Sequence, residues 1–517
     1  TVYDVYLRVP APPGTNQRET VNTIAALTGG KDVETQLAAF CSAVSAGELP
    51  VTQGLDSTGA AAYYRAGLVQ NGAVRLAARG VRRWPDGTIL PHTLGFTGPI
   101  TAEQWPAARA QGLAMDATIG QNGLEAAYDT LLRGRDGQLQ INVGFDGVTR
   151  EAVQTSTPVP GCTLVLTLDA DLQKTLQTAL QNQMDTLRTT KGIGAGREVR
   201  AGAAVVVDVR TGGILAAASL PNFDLSRYRS DYAALSADSA APLLDRVCQG
   251  LYAPGSAFKP AVAAAALTVG IDPAATVNCT GKYFYYSNYH PGCLQYGHRG
   301  PVDLRTALEY SCNIFFYDTG RRLGVDTFSA MARQLGLAND TGVEITAAQG
   351  RLTWSTDTNY QDGLTLMAAI GQGNTAVTPL QLAQYAAALA NYGRKPTLHF
   401  ADRAVQPATG AAVWQYEPAF TEIPGGEAVF GPIRDGMKRM AQTARALREA
   451  PVTVAAKTGS PQLADTLPGG SHYVNSVLIG YAPADDPQIA MAVVLEYGGG
   501  GANAAPVMRA VLDAWFE

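Results

Sequence analysis

Long apolar runs are missing from this chain. Of its 517 residues 46% are hydrophobic, yet no stretch approaches the roughly 18 consecutive apolar residues that cross a bilayer. The chain therefore carries no membrane-spanning helix in the part given. It begins at Thr1 without a Met or a signal-like segment, which leads us to expect an N-terminal anchor upstream. Charge of one sign is missing too: 39 basic against 44 acidic residues leave a net charge of −5, with no basic surplus to attract nucleic acid. Cysteine is scarce, and six in a chain this long do not make a disulfide scaffold. There is no internal repeat and no low-complexity tract; the Gly-rich run at 498–501 is too short to count. What remains is a globular chain with apolar content for a sizeable core, and too long for one ordinary domain.

The residues that are present concentrate their chemistry in three short segments. The first is Pro254-Gly255-Ser256-Ala257-Phe258-Lys259-Pro260, followed by an apolar run. A Pro-Gly turn leads into a helix start, and on a helix Ser256 and Lys259 share a face, so hydroxyl and amine can meet. A Ser hydroxyl attacks only when a base takes its proton, and a Lys whose charge is disfavoured by burial is such a base. The second segment is Ser311-Cys312-Asn313, and the third Lys457-Thr458-Gly459-Ser460. Each alone has a bland explanation, as a solvated helix pair, a cap or turn, and a strand end. Their joint occurrence in this order does not.

Around them the pattern suggests an α+β layer. Residues 1–160 mix short apolar stretches with Gly, Pro and polar residues, with helices predicted over 34–46, 102–111 and 123–134, the last closed by Gly134. The polar stretch 151–160 reads as a linker. Beyond it, 162–168 alternates like a strand and 170–184 is an amphipathic helix. Strands are predicted over 203–208 and 214–218 about a Thr211-Gly212-Gly213 turn, and over 452–457, 476–481 and 488–496. A largely helical middle includes a helix opened by Thr378-Pro379 and running to 390, and the chain closes with a helix over 506–515. Strands at both ends of 161–517 around a helical middle imply one sheet built from both termini.

The ordered trio S-x-x-K, S-x-N, K-T-G resembles the signature of penicillin-binding proteins and class A β-lactamases. One departure is visible, since the middle motif reads S-C-N where the family pattern has S-D-N. The order of elements over 160–517 is similar to the transpeptidase domain of class B penicillin-binding proteins, of the elongation or sporulation type. Val207-Asp208-Val209-Arg210-Thr211-Gly212-Gly213 looks like its first hairpin, and Gly371-Gln372-Gly373 like the stretch before its third motif. The resemblance implies an antiparallel sheet with helices on both sides and a helical subdomain over 161–517, behind an elongated, non-catalytic pedestal over 1–160. It implies cross-linking of peptidoglycan stem peptides through an acyl-enzyme on Ser256, blocked by β-lactams, with Lys259 as base. Ser311 would relay protons and Asn313 hold the substrate amide. Lys457 and Thr458 would bind the terminal carboxylate, and Gly459 would let the strand approach substrate. The amides of Ser256 and Ser460 would hold the oxyanion. It further implies a membrane glycosyltransferase partner and a place on the outer face of the bacterial membrane. A β-lactam-hydrolysing or β-lactam-sensing domain and a non-catalytic scaffold are the alternatives.

Cys279, Cys293, His298 and Cys312 fall in one segment that ends at the Ser311 motif. Three thiolates and an imidazole make a tetrahedral zinc set, which would pin the loop carrying Ser311 and Asn313. A Cys279–Cys293 disulfide, or buried free thiols with His298 in the core, are the other readings. Cys41, Cys162 and Cys248 read as isolated core residues. No organic cofactor is expected.

Overall fold

Strands from both ends of the C-terminal half meet in one antiparallel sheet in the computed structural model, which describes residues 2–9, 12, 14–28, 47–143, 149–293 and 298–517. The strand order is Ile214–Leu220, Gly202–Asp208, Ile489–Leu495, Ser476–Ala482, Ala455–Gly459. Every neighbouring pair is antiparallel. Because successive side chains face opposite sides of a strand, this sheet feeds two cores. Val205, Val207, Ile479 and Val494 pack on one side with Ala261, Val262, Leu382 and Ala386 of the helices Lys259–Thr268 and Pro379–Ala390. Ala204, Val206, Leu478 and Val493 pack on the other with Leu176, Leu180, Met508 and Val511 of the helices Ala170–Arg188 and Ala505–Phe516. The architecture is α+β, with helices on both sides of the sheet and a helical subdomain holding Leu304–Glu309, Asn313–Leu323 and Val325–Gln334.

The helix Pro379–Ala390 has the start that its sequence implies. Thr378 and Gln381 form a reciprocal capping box, with Pro379 in the first turn where a missing N–H costs nothing. All twelve of its residues are buried, so it is the central pillar under the sheet.

The chain divides into two compact units, Thr1–Pro85 and Asp86–Glu517. The first contains the three-stranded antiparallel sheet Gly47–Leu55, Val2–Val9, Val74–Arg79 over the helices Gln17–Thr28 and Ser57–Arg65. Its core is small: Val5, Leu7, Val21, Ile24, Tyr63, Leu68 and Val74. No helix among the described residues is long and apolar enough to cross a membrane.

Several sequence expectations need correction. The polar stretch 151–160 is not a free linker: Thr149–Ser156 is a strand paired antiparallel with Gln138–Val143. Polar side chains do not prevent pairing where both faces of a ribbon are wet. The helix over 123–134 breaks at Tyr128 (φ −112°, ψ 19°) into Gly123–Ala127 and Asp129–Leu132. The helix over 102–111 shortens to Trp105–Ala110. The strand predicted at 452–457 begins later, at Ala455–Gly459, which puts the whole Lys-Thr-Gly motif on the sheet edge. Cys162 is only half-buried. The helix over 34–46, and Cys41 with it, lie outside the described residues.

Candidate active site

Ser256 sits on a 3₁₀ turn, Gly255–Phe258, that runs directly into the α-helix Lys259–Thr268. The sequence predicts one continuous helix from Ser256; the tighter first turn is the refinement. Pro260 fits because the first turn of a helix leaves N–H groups unpaired. Two close backbone contacts fix the turn. Gly255 N–H donates to the Gly371 carbonyl at 2.9 Å, and a Cβ on Gly371 would lie 2.1 Å from the Gly255 oxygen. A Cβ on Gly459 would lie 2.2 Å from the Pro254 oxygen. Gly459 thus lets its strand close against the loop before Ser256, a protein–protein approach the sequence does not reveal.

Lys259 is fully buried. Its Nζ lies 2.7 Å from the Ser311 carbonyl, 3.1 Å from Ser311 Oγ and 2.7 Å from Asn313 Oδ1. Desolvation pulls its pKa down to about 7, against the opposing pull of the Cys312 and Cys293 thiols. Lys457 is equally buried. It stands opposite Ile479 on the neighbouring strand, and cross-strand partners share a face, so it points to the side packed on the helices Lys259–Thr268 and Pro379–Ala390. Its Nζ reaches Ser311 Oγ at 3.0 Å and the Thr458 carbonyl at 3.0 Å. Burial, then repulsion from Lys259, push its pKa well below the usual lysine value.

One hydroxyl, Ser311 Oγ, therefore lies between two buried amines. Ser311 adopts a left-handed backbone (φ 57°) between the helices Leu304–Glu309 and Asn313–Leu323. A non-glycine residue there costs about 1–3 kcal/mol, which the surrounding contacts must offset. The chemical consequence is a relay. A neutral amine accepts the Ser311 proton while an ammonium on the other side donates to its oxygen.

Above these groups opens a cleft of about 420 Å³, lined by Ser256, Ser311, Asn313, Gln372, Thr458 and Ser460. The backbone N–H groups of Ser256 and Ser460 have no partner among the described residues, while the Ser460 hydroxyl accepts from Gly501 N–H at 2.8 Å. Two open amides beside a Ser hydroxyl form a receptacle for an oxyanion. Lys259 makes its hydrogen bonds to the second motif rather than to Ser256. The three motifs, 200 residues apart in sequence, come together as expected; Gln372, Tyr289 and Tyr317 of the lining were not assigned from sequence. Gln372 lies between the two glycines already noted, which was the available signal.

Behind the cleft, Cys279, Cys293, His298 and Cys312 converge, all buried, with their ligand atoms within 4.8 Å of one another. His298 Nε2 lies 3.7 Å from Cys279 Sγ and 3.5 Å from Cys293 Sγ, and Cys279, Cys293 and Cys312 are unbridged. Asn313 N–H donates to Cys293 Sγ at 3.4 Å, which ties the cluster to the second motif. The donor set, its burial and its convergence fit a tetrahedral zinc, whose bonds to sulfur run about 2.3 Å.

The family model described as the penicillin-binding protein transpeptidase domain matches residues 202–513, and that of the penicillin-binding protein dimerisation domain matches 2–166. The chain is 30% identical over 469 residues to the peptidoglycan D,D-transpeptidase MrdA of Acinetobacter baumannii, covering 86% of this chain and 67% of that protein. A solved structure titled as structural coordination of polymerization and crosslinking by a peptidoglycan synthase complex is 28% identical, with a TM-score of 0.76, over 100% of this chain and 87% of its own. The complex of penicillin-binding protein PBP2 with MreC from Helicobacter pylori shares the fold, with a TM-score of 0.81 at 22% identity over 100% of this chain and 94% of its own.

Proposed function

From the premise that this chain belongs to the penicillin-binding proteins, we propose that it is a serine D,D-transpeptidase of the elongation type that cross-links peptidoglycan. The observation that carries the reading is the pair of buried amines beneath Ser256, with Ser311 between them. Ser256 Oγ attacks the carbonyl of the penultimate D-Ala of a stem peptide, and its proton passes to the neutral Lys259 amine. Negative charge builds on the carbonyl oxygen against the Ser256 and Ser460 amides. The departing D-Ala nitrogen takes a proton through Ser311, and the peptide bond breaks to leave an ester on Ser256. An amine of a neighbouring strand then attacks the ester, forms the cross-link and returns the proton to Ser256. Thr458, in the cleft wall, holds the terminal carboxylate, with the buried Lys457 behind it supplying positive charge through Ser311, and Asn313 orients the donor amide.

β-Lactams acylate the same Ser256. None of the described residues lining the cleft is Asp or Glu, so a water that could hydrolyse the adduct finds no carboxylate base there. This favours transpeptidation over β-lactam hydrolysis. We assign residues 1–160 to the non-catalytic pedestal and the chain to the outer face of the bacterial membrane. A membrane glycosyltransferase partner is supported by the similarity to the synthase complex.

Zinc would be held by Cys279, Cys293, His298 and Cys312. It supplies structural cross-linking only. What the chain's own residues do is anchor: Cys312 starts the helix Asn313–Leu323 and Cys293 accepts from its first N–H, so the cluster sets where Asn313 and Ser311 stand. Metal analysis should find about one zinc per chain; a folded, acylating chain without zinc overturns this part.

The direct test is intact-mass measurement after penicillin treatment. The chain should gain the mass of one drug molecule, and Ser256→Ala should gain nothing. A folded chain of unchanged mass would falsify the reading.

A further inference from the structure

We propose that the cavity walled by Arg333, Arg351, Trp354, Asp357, Asn359 and Asn374 is a second binding site, for a sugar unit and the carboxylate of its stem peptide on the same glycan strand whose neighbouring stem peptide occupies the catalytic cleft. This rests on the peptidoglycan reading above. The cavity holds about 680 Å³, larger than the cleft itself. The two lie close along the chain: Gln372 lines the cleft and Asn374 the cavity, two residues on, which is at most about 7 Å of extended chain. One polymer segment can therefore touch both.

The cavity is built rather than incidental. The buried Gln381 donates from beneath to the carbonyls of Asn339 and Gln349, both at 2.8 Å, fixing the floor. Asn374 and Asn359 exchange side-chain hydrogen bonds at 2.7 and 3.0 Å, and Asn374 also donates to Asp357 at 2.7 Å. Such a set of fixed amide and carboxylate groups suits the hydroxyls of a saccharide, and an indole offers a flat apolar face to a sugar ring. Arg333 and Arg351 are exposed, and neither guanidinium has an ion-pair partner among the described residues. Arg351 Nε donates to the Asn374 carbonyl at 2.9 Å, which fixes it in the wall, and two guanidiniums against the one Asp357 carboxylate leave the site net positive, so it favours an anion.

The test uses the full chain with Ser256 already blocked by penicillin, and soluble uncross-linked peptidoglycan chains as probe. The blocked chain should still bind them. Arg333→Glu should weaken that binding about tenfold, and Arg333→Lys should restore most of it. Free stem peptide should bind more weakly than the intact chains, because it lacks the sugar; free stem peptide that bound as tightly would remove the sugar from the site and overturn the proposal. A blocked chain that binds nothing, or an Arg333→Glu chain that binds like the parent, overturns the proposal. Failure of penicillin to acylate at all is a different result, and it strikes the transpeptidase reading instead.

Discussion

Among the places where this molecule buries positive charge, two treat it in opposite ways. Arg246, only 4% exposed, lies 2.9 Å from Glu496 and donates to the carbonyls of Ala241 and Ala240 at 2.9 and 2.7 Å. Tyr252 adds its hydroxyl to the same carboxylate at 2.7 Å. The charge is balanced and its donors are used. Lys259 and Lys457 are buried more deeply, yet among the described residues their hydrogen-bond acceptors are hydroxyl, amide and carbonyl oxygens. A buried cation held by a carboxylate stays a cation, whereas one without a counter-charge gives up its proton more readily. The first arrangement welds loops together. The second makes a base, and unbalanced burial is what marks it as functional.

The largest effect should come from breaking the unbalanced site. In Lys259→Arg, the guanidinium keeps its proton in any protein environment, so the base is lost while the charge remains. Acylation by penicillin should fall about 10²–10⁴-fold, measured as the rate of mass gain. A rate within threefold of the parent would remove Lys259 from the base role. The balanced site should respond in stability instead. Arg246→Met leaves Glu496 without its cation and should cost about 3–5 kcal/mol in denaturant unfolding, with the folded fraction still acylating. Lys457→Met makes the contrast sharper: it removes a desolvated charge and should leave stability unchanged or raised, while acylation drops. If Lys457→Met instead destabilised the fold as much as Arg246→Met, the distinction drawn here would fail.

How much of this was legible beforehand follows from the same contrast. The three motifs, their order and the helix Pro379–Ala390 are local signals: spacing, a proline at a helix start, a capping pair. They were readable, as were the strands that flank the Gly212 turn. The depth at which Lys457 lies was not, because it depends on Ile479 standing opposite it in a paired strand. The left-handed backbone of Ser311 was hidden, since nothing in Tyr-Ser-Cys-Asn requires it; the geometry comes from two helices meeting there. The Arg246–Glu496 pair spans 250 residues and leaves no local trace. The strand at Thr149–Ser156 was missed because a two-stranded ribbon with wet faces lacks the apolar alternation that identifies a strand.

The smallest effect is the one that reads the contrast most directly. With its pKa near 7, Lys259 is mostly neutral above that pH and mostly charged below it. Acylation should rise about tenfold per pH unit below 7 and level off above, as the fraction of neutral amine does. The stability linkage has a definite sign as well. An unfolded lysine titrates near 10.5, so between about 7 and 10.5 the unfolded chain binds the proton that the folded chain has released. This group therefore makes the fold more stable as pH rises through that window, the reverse of a lysine held by a carboxylate. Desolvation is the dominant cause, and the Cys312 and Cys293 thiols pull the other way. Lys457, across the Ser311 hydroxyl, adds repulsion that favours losing one proton from the pair. Replacing Lys457 by Met should then leave the midpoint of the acylation profile near 7, since burial is what depresses Lys259 and the repulsion falls on Lys457. A midpoint that moved upward would mean that a charged Lys457 helps expel the Lys259 proton, and that burial alone does not set the base.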